Sequence, residues 1–377
     1  MTIKKLHQEF LTSSGICTDT RKITKNCLFV ALKGDNFNGN TFAEEAVKKG
    51  AYKVIIDESE FQNDQTILVK DSLTALQQLA AFHKKYLGLP ILSLTGSNGK
   101  TTTKELINAV LSKKFNTIAT KGNLNNHIGV PLTLLSMTPE TELGIVEMGA
   151  NHLHEIESLC KIAQPDYGYI TNFGKAHLEG FGSLEGVVKG KSELYHYLEN
   201  ENKTVFVNGN DTKQLELTKN INRVVFDDAI IKLIDASNEV KVKFKNTEIQ
   251  SNLVGLYNFS NIAAAIAIGD YFNISEEDIK TAIESYIPQN NRSQRIEKSG
   301  HKIILDAYNA NPTSMMAALE NFKQAEGNQK ILILGDMFEM GDEAEKEHQH
   351  IVDYLENNSF GKAYLVGSNF HNTKAEN

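Results

Sequence analysis

The sequence predicts an α/β protein built in three blocks, on three observations. Short apolar runs alternate with helical patterns along most of the chain, the pattern of parallel strands covered by helices. One such run, "ILSLT", passes directly into the glycine-bearing turn "GSNGKT" and then into a helical pattern. At 377 residues the chain exceeds one typical domain; at about 100–200 residues per domain, two or three are expected.

The first block, residues 1–87, mixes strand-like runs ("CLFVAL", "YKVIID", "TILVK") with helical stretches such as "TFAEEAVKKG" and ends at "LGLP", a linker by composition. In the second, residues 88–288, "ILSLT", "LGIVEM", "YGYIT" and "TVFVNG" read as buried parallel strands, and the Ala/Ile-rich "NFSNIAAAIAIGDYF" as a buried helix. The third, residues 289–377, repeats the pattern with "KIILDA", "KILILG" and "KAYLVG", read again as parallel strands. Its helix starts at "NPTSMM", with Asn311 as N-cap and Pro312 at the first helical position. Three strands are few for a covered sheet, and the chain stops about ten residues after the last, so this block is expected to be incomplete.

Composition narrows the class. The chain is 41% hydrophobic and 23% charged, an ordinary globular balance. A net charge of −8 argues against a nucleic-acid partner and leaves room for a local pocket that holds a phosphorylated small molecule. Cys17, Cys27 and Cys160 form no CxxC pair, which fits a reducing compartment. The chain offers neither an apolar stretch of membrane-spanning length nor a signal-peptide core at "MTIKKLHQEF". A cytoplasmic protein without membrane insertion is expected.

The turn Gly96-Ser97-Asn98-Gly99-Lys100-Thr101-Thr102 joins a strand to a helix. Its glycines let backbone N–H groups curl around an anion, the helix N-terminus adds a partial positive charge and Lys100 a full one. The Thr101 hydroxyl is placed to ligate Mg²⁺. Leu106, Ile107, Val110 and Leu111 share one face of the helix. Leu94 stands where the full Walker pattern has its first glycine, so the competing reading is a glycine turn with an incidental lysine. Beyond the turn, Glu147 ends "LGIVE", where a carboxylate is either an Mg²⁺ ligand or a solvated strand end. His177 follows the glycine turn of "TNFGKAH", His152 and His154 read as exposed residues of a helix start, and Lys189 and Lys191 of "VVKGKSEL" read by default as solvated lysines.

"TGSNGKTTTKE", "TKGNLNNHIGVPLTLL", "VEMGANHLHEI", "TNFGKAHLEGFGS", "KGKSEL", "GLYNFSNIAAA" and "LDAYNANPTSM" occur in that order. Taken together they resemble the Mur ligases, the ATP-dependent amide-forming family of peptidoglycan synthesis, over nearly the whole chain. The resemblance implies a uridine-nucleotide-binding N-terminal domain (1–87), a central P-loop ATP-binding domain (88–288) and a Rossmann-like C-terminal ligase domain (289–377). "DAYNANPTSM" and "LGDMFEMGDEAEKEH" are most similar to the branch that joins D-alanyl-D-alanine to UDP-N-acetylmuramoyl-tripeptide through an acyl phosphate. The D-N-P-R-type motif of the diamino-acid-adding branch is absent.

The resemblance further implies ATP and Mg²⁺ as cofactors and a monomer. It puts Gly96, Ser97, Asn98, Gly99, Lys100, Thr101 and Thr102 at the ATP phosphates and Asn258 and Asn261 near the adenine. Arg292 and Asp306 would reach phosphates and ribose. It makes Thr101, Glu147 and His177 metal ligands, with Lys191 as the lysine that the family carbamylates. Thr18, Asp19 and Arg21 fall in the uridine domain, Asn123, Asn125 and Asn126 on the substrate or phosphate side of the cleft, and Tyr308, Asn309 and Asn311 on the inter-domain face. The sequence departs from the family at Asn38 and Asn40, where Asp-Gly-His is common, at His127, where Glu is common, and in its length. Other readings are a sister ligase that adds a diamino acid or glutamate, a P-loop kinase or switch, and a chain that binds nucleotides without turnover.

Overall fold

The computed structural model describes residues 1–375 apart from 326 and 328. By contact the chain forms two compact units. One comprises 1–93, 115–148 and 157–166; the other comprises 94–114, 149–156 and 167–377. The strand Ile91–Thr95 is buried along its whole length and carries the chain out of the first unit into the second.

In the first unit, Ile16–Cys17, Leu28–Val30, Lys53–Ile56 and Thr66–Leu68 form a four-stranded sheet in that order. All its pairs are parallel, with Cys17 opposite Phe29, Phe29 opposite Val54 and Val54 opposite Thr66. The core beneath it gathers Cys17, Cys27, Phe29, Ala46 and Val54. The helix Ser72–Leu87 starts where Asp71 accepts the Thr74 N–H and stops at Gly88, at φ +67°, a left-handed cap natural to glycine. Leu89 and Pro90 follow, the linker read from composition. The helix Ile3–Thr12 is tied to Ser72–Leu87 by a buried histidine pair, His7 to His83 at 3.0 Å. A second parallel pair, Thr117–Ala119 with Leu143–Glu147, ends in Glu147.

In the second unit, Tyr167–Ile170, Thr204–Asn208 and Asn222–Phe226 form a parallel ladder. The helix Lys100–Leu111 buries Leu106, Ile107, Val110 and Leu111 completely, the face read from its spacing. It packs against the apolar helix Asn258–Tyr271. A three-stranded antiparallel sheet, Ile231–Asp235, Glu239–Phe244 and Thr247–Val254, lies between parallel ladder and helix in the sequence.

The third block corrects one expectation. Ile331–Gly335 and Lys362–Val366 do pair in parallel. "KIILDA" does not join them: His301–Leu305 pairs antiparallel with Gln294–Lys298. The cause is the two-residue turn Ser299-Gly300, with φ +52° and +77°, the primed geometry whose twist matches a hairpin. Asn311 caps Pro312–Gln324 as read, with a capping box closed by Ser314.

Candidate active site

The phosphate-loop segment is built by its two glycines. Gly96 sits at φ +142°, and a Cβ there would lie 2.0 Å from the Thr171 hydroxyl; Gly99 sits at φ +78°, where a Cβ would lie 2.5 Å from Asn261 Oδ1. Neither position accepts a side chain without displacing a neighbour. The segment after the next parallel strand straps the loop down. Thr171 Oγ1 and Asn172 Nδ2 donate to the Asn98 carbonyl at 2.6 and 3.0 Å, and Asn98 N donates back to Asn172 Oδ1 at 3.1 Å. Ser97 Oγ donates to the Gly174 carbonyl at 2.8 Å. Lys100 folds over this frame, its ammonium 2.7 Å from Gly96 O and 3.1 Å from Ser97 O. Thr101 and Thr102 are buried in the first helical turn. Thr171, Asn172 and Gly174 were not singled out from sequence. The available signal was the polar pair in "YITNFG" at the exit of a buried strand.

Lys191 overturns its default reading as a solvated lysine. It is 0% exposed, with Nζ donating to the Ala150 carbonyl at 2.8 Å and lying 5.1 Å from the Phe181 ring centroid. Burial above all, then the charge of Lys100, pushes its pKa well below the ordinary lysine range, against the opposing pull of Glu155 and Glu193. Lys189, two residues earlier, is exposed as read. His177 is pushed in the same direction by burial first, then by Lys100 and Lys191. The three groups therefore lie within electrostatic reach of one another, and together with burial that proximity favours the neutral forms of Lys191 and His177. His152 and His154 are exposed, as expected of a helix start.

The third block meets this neighbourhood. Asn98 and Asn311 exchange amide hydrogen bonds at 2.7 and 3.3 Å, Thr313 Oγ1 accepts the Lys175 N–H at 3.0 Å, the Lys175 ammonium reaches Glu347 at 2.5 Å, and His177 pairs with Glu339. The segment leading into the block is held by Glu105, which accepts from Tyr286 Oη at 2.5 Å and Asn290 Nδ2 at 3.1 Å. Arg292 stacks on Tyr308, 3.7 Å from the ring centroid. Asp306 accepts the Ser293 N–H at 3.3 Å, and Asn309 is exposed. Asn258 and Asn261 are buried in a chain of amides. Asn258 donates to Val254 O and accepts from Asn261, whose Oδ1 in turn accepts the Thr103 hydroxyl at 3.0 Å. Their side chains thus brace the phosphate-loop helix from the side. Thr103, Glu105, Glu339 and Glu347 were not singled out from sequence, although they fall within the motifs "TGSNGKTTTKE" and "LGDMFEMGDEAEKEH".

In the first unit, Glu147 is 1% exposed and its Oε1 accepts from Asn125 Nδ2 at 2.8 Å. Asn126 accepts the N–H groups of Ile128 and Gly129, shaping the start of a helix, and Asn123 lies exposed beside it. A separate cleft of about 370 Å³ is lined by Thr18, Asp19, Thr20, Arg21, Phe29 and Phe37. Asp19 takes both Arg21 Nε and Nη2 at 2.9 Å, and that bidentate bond holds its carboxyl down at about 2. Asn40 is fully buried, bonded to Asn38 and Asp57, which accounts for an asparagine at that departure from the family pattern.

Residues 94–269 match the Mur ligase middle domain, 291–377 the Mur ligase glutamate ligase domain and 12–84 the Mur ligase family catalytic domain. This chain belongs to the Mur ligase family. The UDP-N-acetylmuramoyl-tripeptide–D-alanyl-D-alanine ligase of Bacillus subtilis is 37% identical over 364 residues, covering 94% of this chain and 80% of that protein. A crystal structure of MurF from Acinetobacter baumannii superposes with a TM-score of 0.87 at 31% identity, covering 98% of this chain and 86% of that one. MurF of Thermotoga maritima, solved in complex with ADP, gives 0.86 at 26% identity, covering 97% and 87%. Members of the Mur ligase family are ATP-dependent ligases, so this chain is an enzyme of that class. For the Mg²⁺ that accompanies ATP, the Thr101 hydroxyl and the buried Glu147 carboxylate are oxygen donors of the kind it prefers; the His177 imidazole offers a nitrogen, a softer donor that Mg²⁺ takes less readily. Lys191 fits only once its amine carries an anionic oxygen group.

Proposed function

We propose that this enzyme joins D-alanyl-D-alanine to the terminal carboxylate of UDP-N-acetylmuramoyl-tripeptide, with ATP and Mg²⁺, in peptidoglycan precursor synthesis. A free carboxylate is a poor acyl donor because oxide is a poor leaving group. Transfer of the γ-phosphoryl group to that carboxylate gives an acyl phosphate. The amine of D-alanyl-D-alanine attacks its carbonyl carbon, and the tetrahedral adduct expels phosphate and a proton. The protein's part is positioning and charge neutralisation.

The observation that carries the reading is the docking of the third block on the phosphate loop through Asn98 and Asn311. A simple P-loop kinase or switch needs no such partner. Lys100 leaves its loop carbonyls for the β- and γ-phosphates, with Gly96, Ser97, Asn98, Gly99 and Thr102 supplying the surrounding loop. Thr101, Glu147, His177 and carbamylated Lys191 would hold Mg²⁺, which would supply charge neutralisation at the phosphates. The neutral Lys191 amine adds to CO₂ and releases one proton, turning a repelled cation into an anionic oxygen ligand. Asn258 and Asn261 support the adenine side, Arg292 and Asp306 reach phosphate and ribose, and Tyr308, Asn309 and Asn311 face the peptide. Thr18, Asp19 and Arg21 hold the uridine nucleotide, while Asn125 and its neighbours Asn123 and Asn126 set the carboxylate side. The working domains are 1–87, 88–288 and 289–377, with a hinge near 286–292. The enzyme acts as a cytoplasmic monomer; among the described residues no helix is long and apolar enough to cross a membrane.

The test is phosphate release with ATP, Mg²⁺, UDP-N-acetylmuramoyl-tripeptide and D-alanyl-D-alanine, each omitted in turn. Release that needs every component, with the matching pentapeptide product by mass, is expected. Release with a diamino acid in place of the dipeptide would move the chain to a sister branch, and release with ATP alone would make it an NTPase.

A further inference from the structure

Glu339 has no part in the chemistry above. It lies between the strand Ile331–Gly335 and the short 3₁₀ turn Gly341–Glu343. Its backbone is at φ +59°, and that of His177 is at φ +54°. Both are left-handed conformations that non-glycine residues rarely adopt and that persist only where surrounding contacts hold them. The two residues meet. The Glu339 carboxylate pairs with His177 Nδ1, and the Glu339 carbonyl accepts the Glu179 N–H at 3.1 Å. A Cβ on Gly341, at φ +54°, would lie 3.2 Å from the Glu179 Cα. The loop thus clasps the start of the short helix Leu178–Phe181 by side chain and backbone together.

An ionised carboxylate only accepts hydrogen bonds. Facing Glu339, Nδ1 must carry the proton, and in the neutral ring Nε2 is then the lone-pair nitrogen. Carboxylates orient metal-binding imidazoles elsewhere by the same means. The carboxylate comes from the third block, whereas the imidazole belongs to the block that holds the phosphate loop.

We infer that Glu339 is a positioning residue that fixes the tautomer and ring direction of His177, so that the imidazole offers Nε2 when the third block is docked. Docking then does more than cover the nucleotide: it sets the lone-pair nitrogen through which His177 would bind a metal ion. The consequence for catalysis rests on the ligase reading; the tautomer does not.

The test is ¹⁵N NMR of the full chain labelled at histidine, without substrates, at pH 8, with the His177 signal assigned by its loss in His177→Asn. The Nδ1–H tautomer is expected to predominate. Glu339→Gln keeps an accepting oxygen and preserves it. Glu339→Ala switches the ring to the Nε2–H form that free histidine favours. An Nε2–H ring in the unaltered protein, or an Nδ1–H ring retained in Glu339→Ala, overturns the inference. The first arm needs only the assignment variant and holds even if Glu339→Ala or Glu339→Gln fails to fold. The predicted tautomer in a chain that releases no phosphate would count against the ligase reading alone.

Discussion

Asn98 and Asn311, 213 positions apart, face each other with both side-chain amides exchanging hydrogen bonds. Asn98 is the middle of the phosphate loop, and Asn311 is the N-cap of a third-block helix. The same Asn311 oxygen also accepts the Ser314 N–H at 2.9 Å. One side chain therefore starts a helix and aims it at the nucleotide loop. Asn311→Ala removes both functions and should cost about 1 kcal/mol of stability from the cap together with most of the turnover. Asn311→Ser restores the cap but is too short to reach Asn98. Thermal melts alongside phosphate release separate the two roles. Full turnover in the serine variant would show that the amide pair is not needed.

Lys100→Ala should lower ATP turnover by at least about 100-fold, with little effect on the melt because the straps from Thr171, Asn172 and Gly174 remain when the lysine's own bonds to the loop are lost. Substantial retained activity would remove Lys100 from the phosphate site.

Lys191→Ala should be nearly inactive and partly rescued by short carboxylates such as acetate, which can take the place of a carbamate. The buried, low-pKa amine also predicts that activity falls when CO₂ is stripped from the buffer and returns with bicarbonate. A fully active alanine variant would refute the carbamate.

Arg21 is 85% exposed, yet its guanidinium is held in place by Asp19 at the edge of the 370 Å³ cleft. Arg21→Ala should raise KM for the UDP substrate about tenfold, in keeping with the loss of a charged hydrogen bond, and leave KM for ATP unchanged. Equal changes in both constants would place the cleft's role elsewhere.

Much of this fold was legible because burial writes itself into periodicity. Leu106, Ile107, Val110 and Leu111 repeat at helical spacing, and the strand Leu143–Glu147 is buried along its length and apolar up to its final Glu147. The Ser299-Gly300 hairpin was misread because "KIILDA" has the same apolar content whether its partner runs parallel or antiparallel. Only the turn decides, and a two-residue turn is a weak signal. Lys191 was legible only through the family resemblance: nothing in "VKGKSEL" itself distinguishes a lysine on the buried side of a helix from its exposed neighbour Lys189. The straps Thr171 and Asn172, and the clasp at Glu339, depend on contacts between distant segments, and a local pattern such as the polar pair in "YITNFG" marks the residues without naming their partners.

The buried histidine pair makes a prediction about stability rather than catalysis. His83 Nε2 faces the Met137 carbonyl at 2.9 Å, so it donates, leaving Nδ1 to accept from His7 Nε2 at 3.0 Å. Burial favours the neutral form of both rings. Burial lowers the pKa of each below 6.5, and for His7 the neighbouring ring lowers it further. In the window below pH about 6.5 the unfolded chain binds more protons than the folded one, so stability rises with pH there. The contribution is complete above about 6.5 and is lost as pH falls towards the lowered folded-state values. Melting temperature should be flat from pH 8 to 7 and drop on acidification to 5.5. His7→Leu keeps an apolar side chain between Phe10, Phe82 and Tyr86 and deletes one of the two titrating groups. Its melting temperature should fall less steeply over the same interval. Parallel acid profiles for the variant and the parent would mean that the pair is not what senses pH.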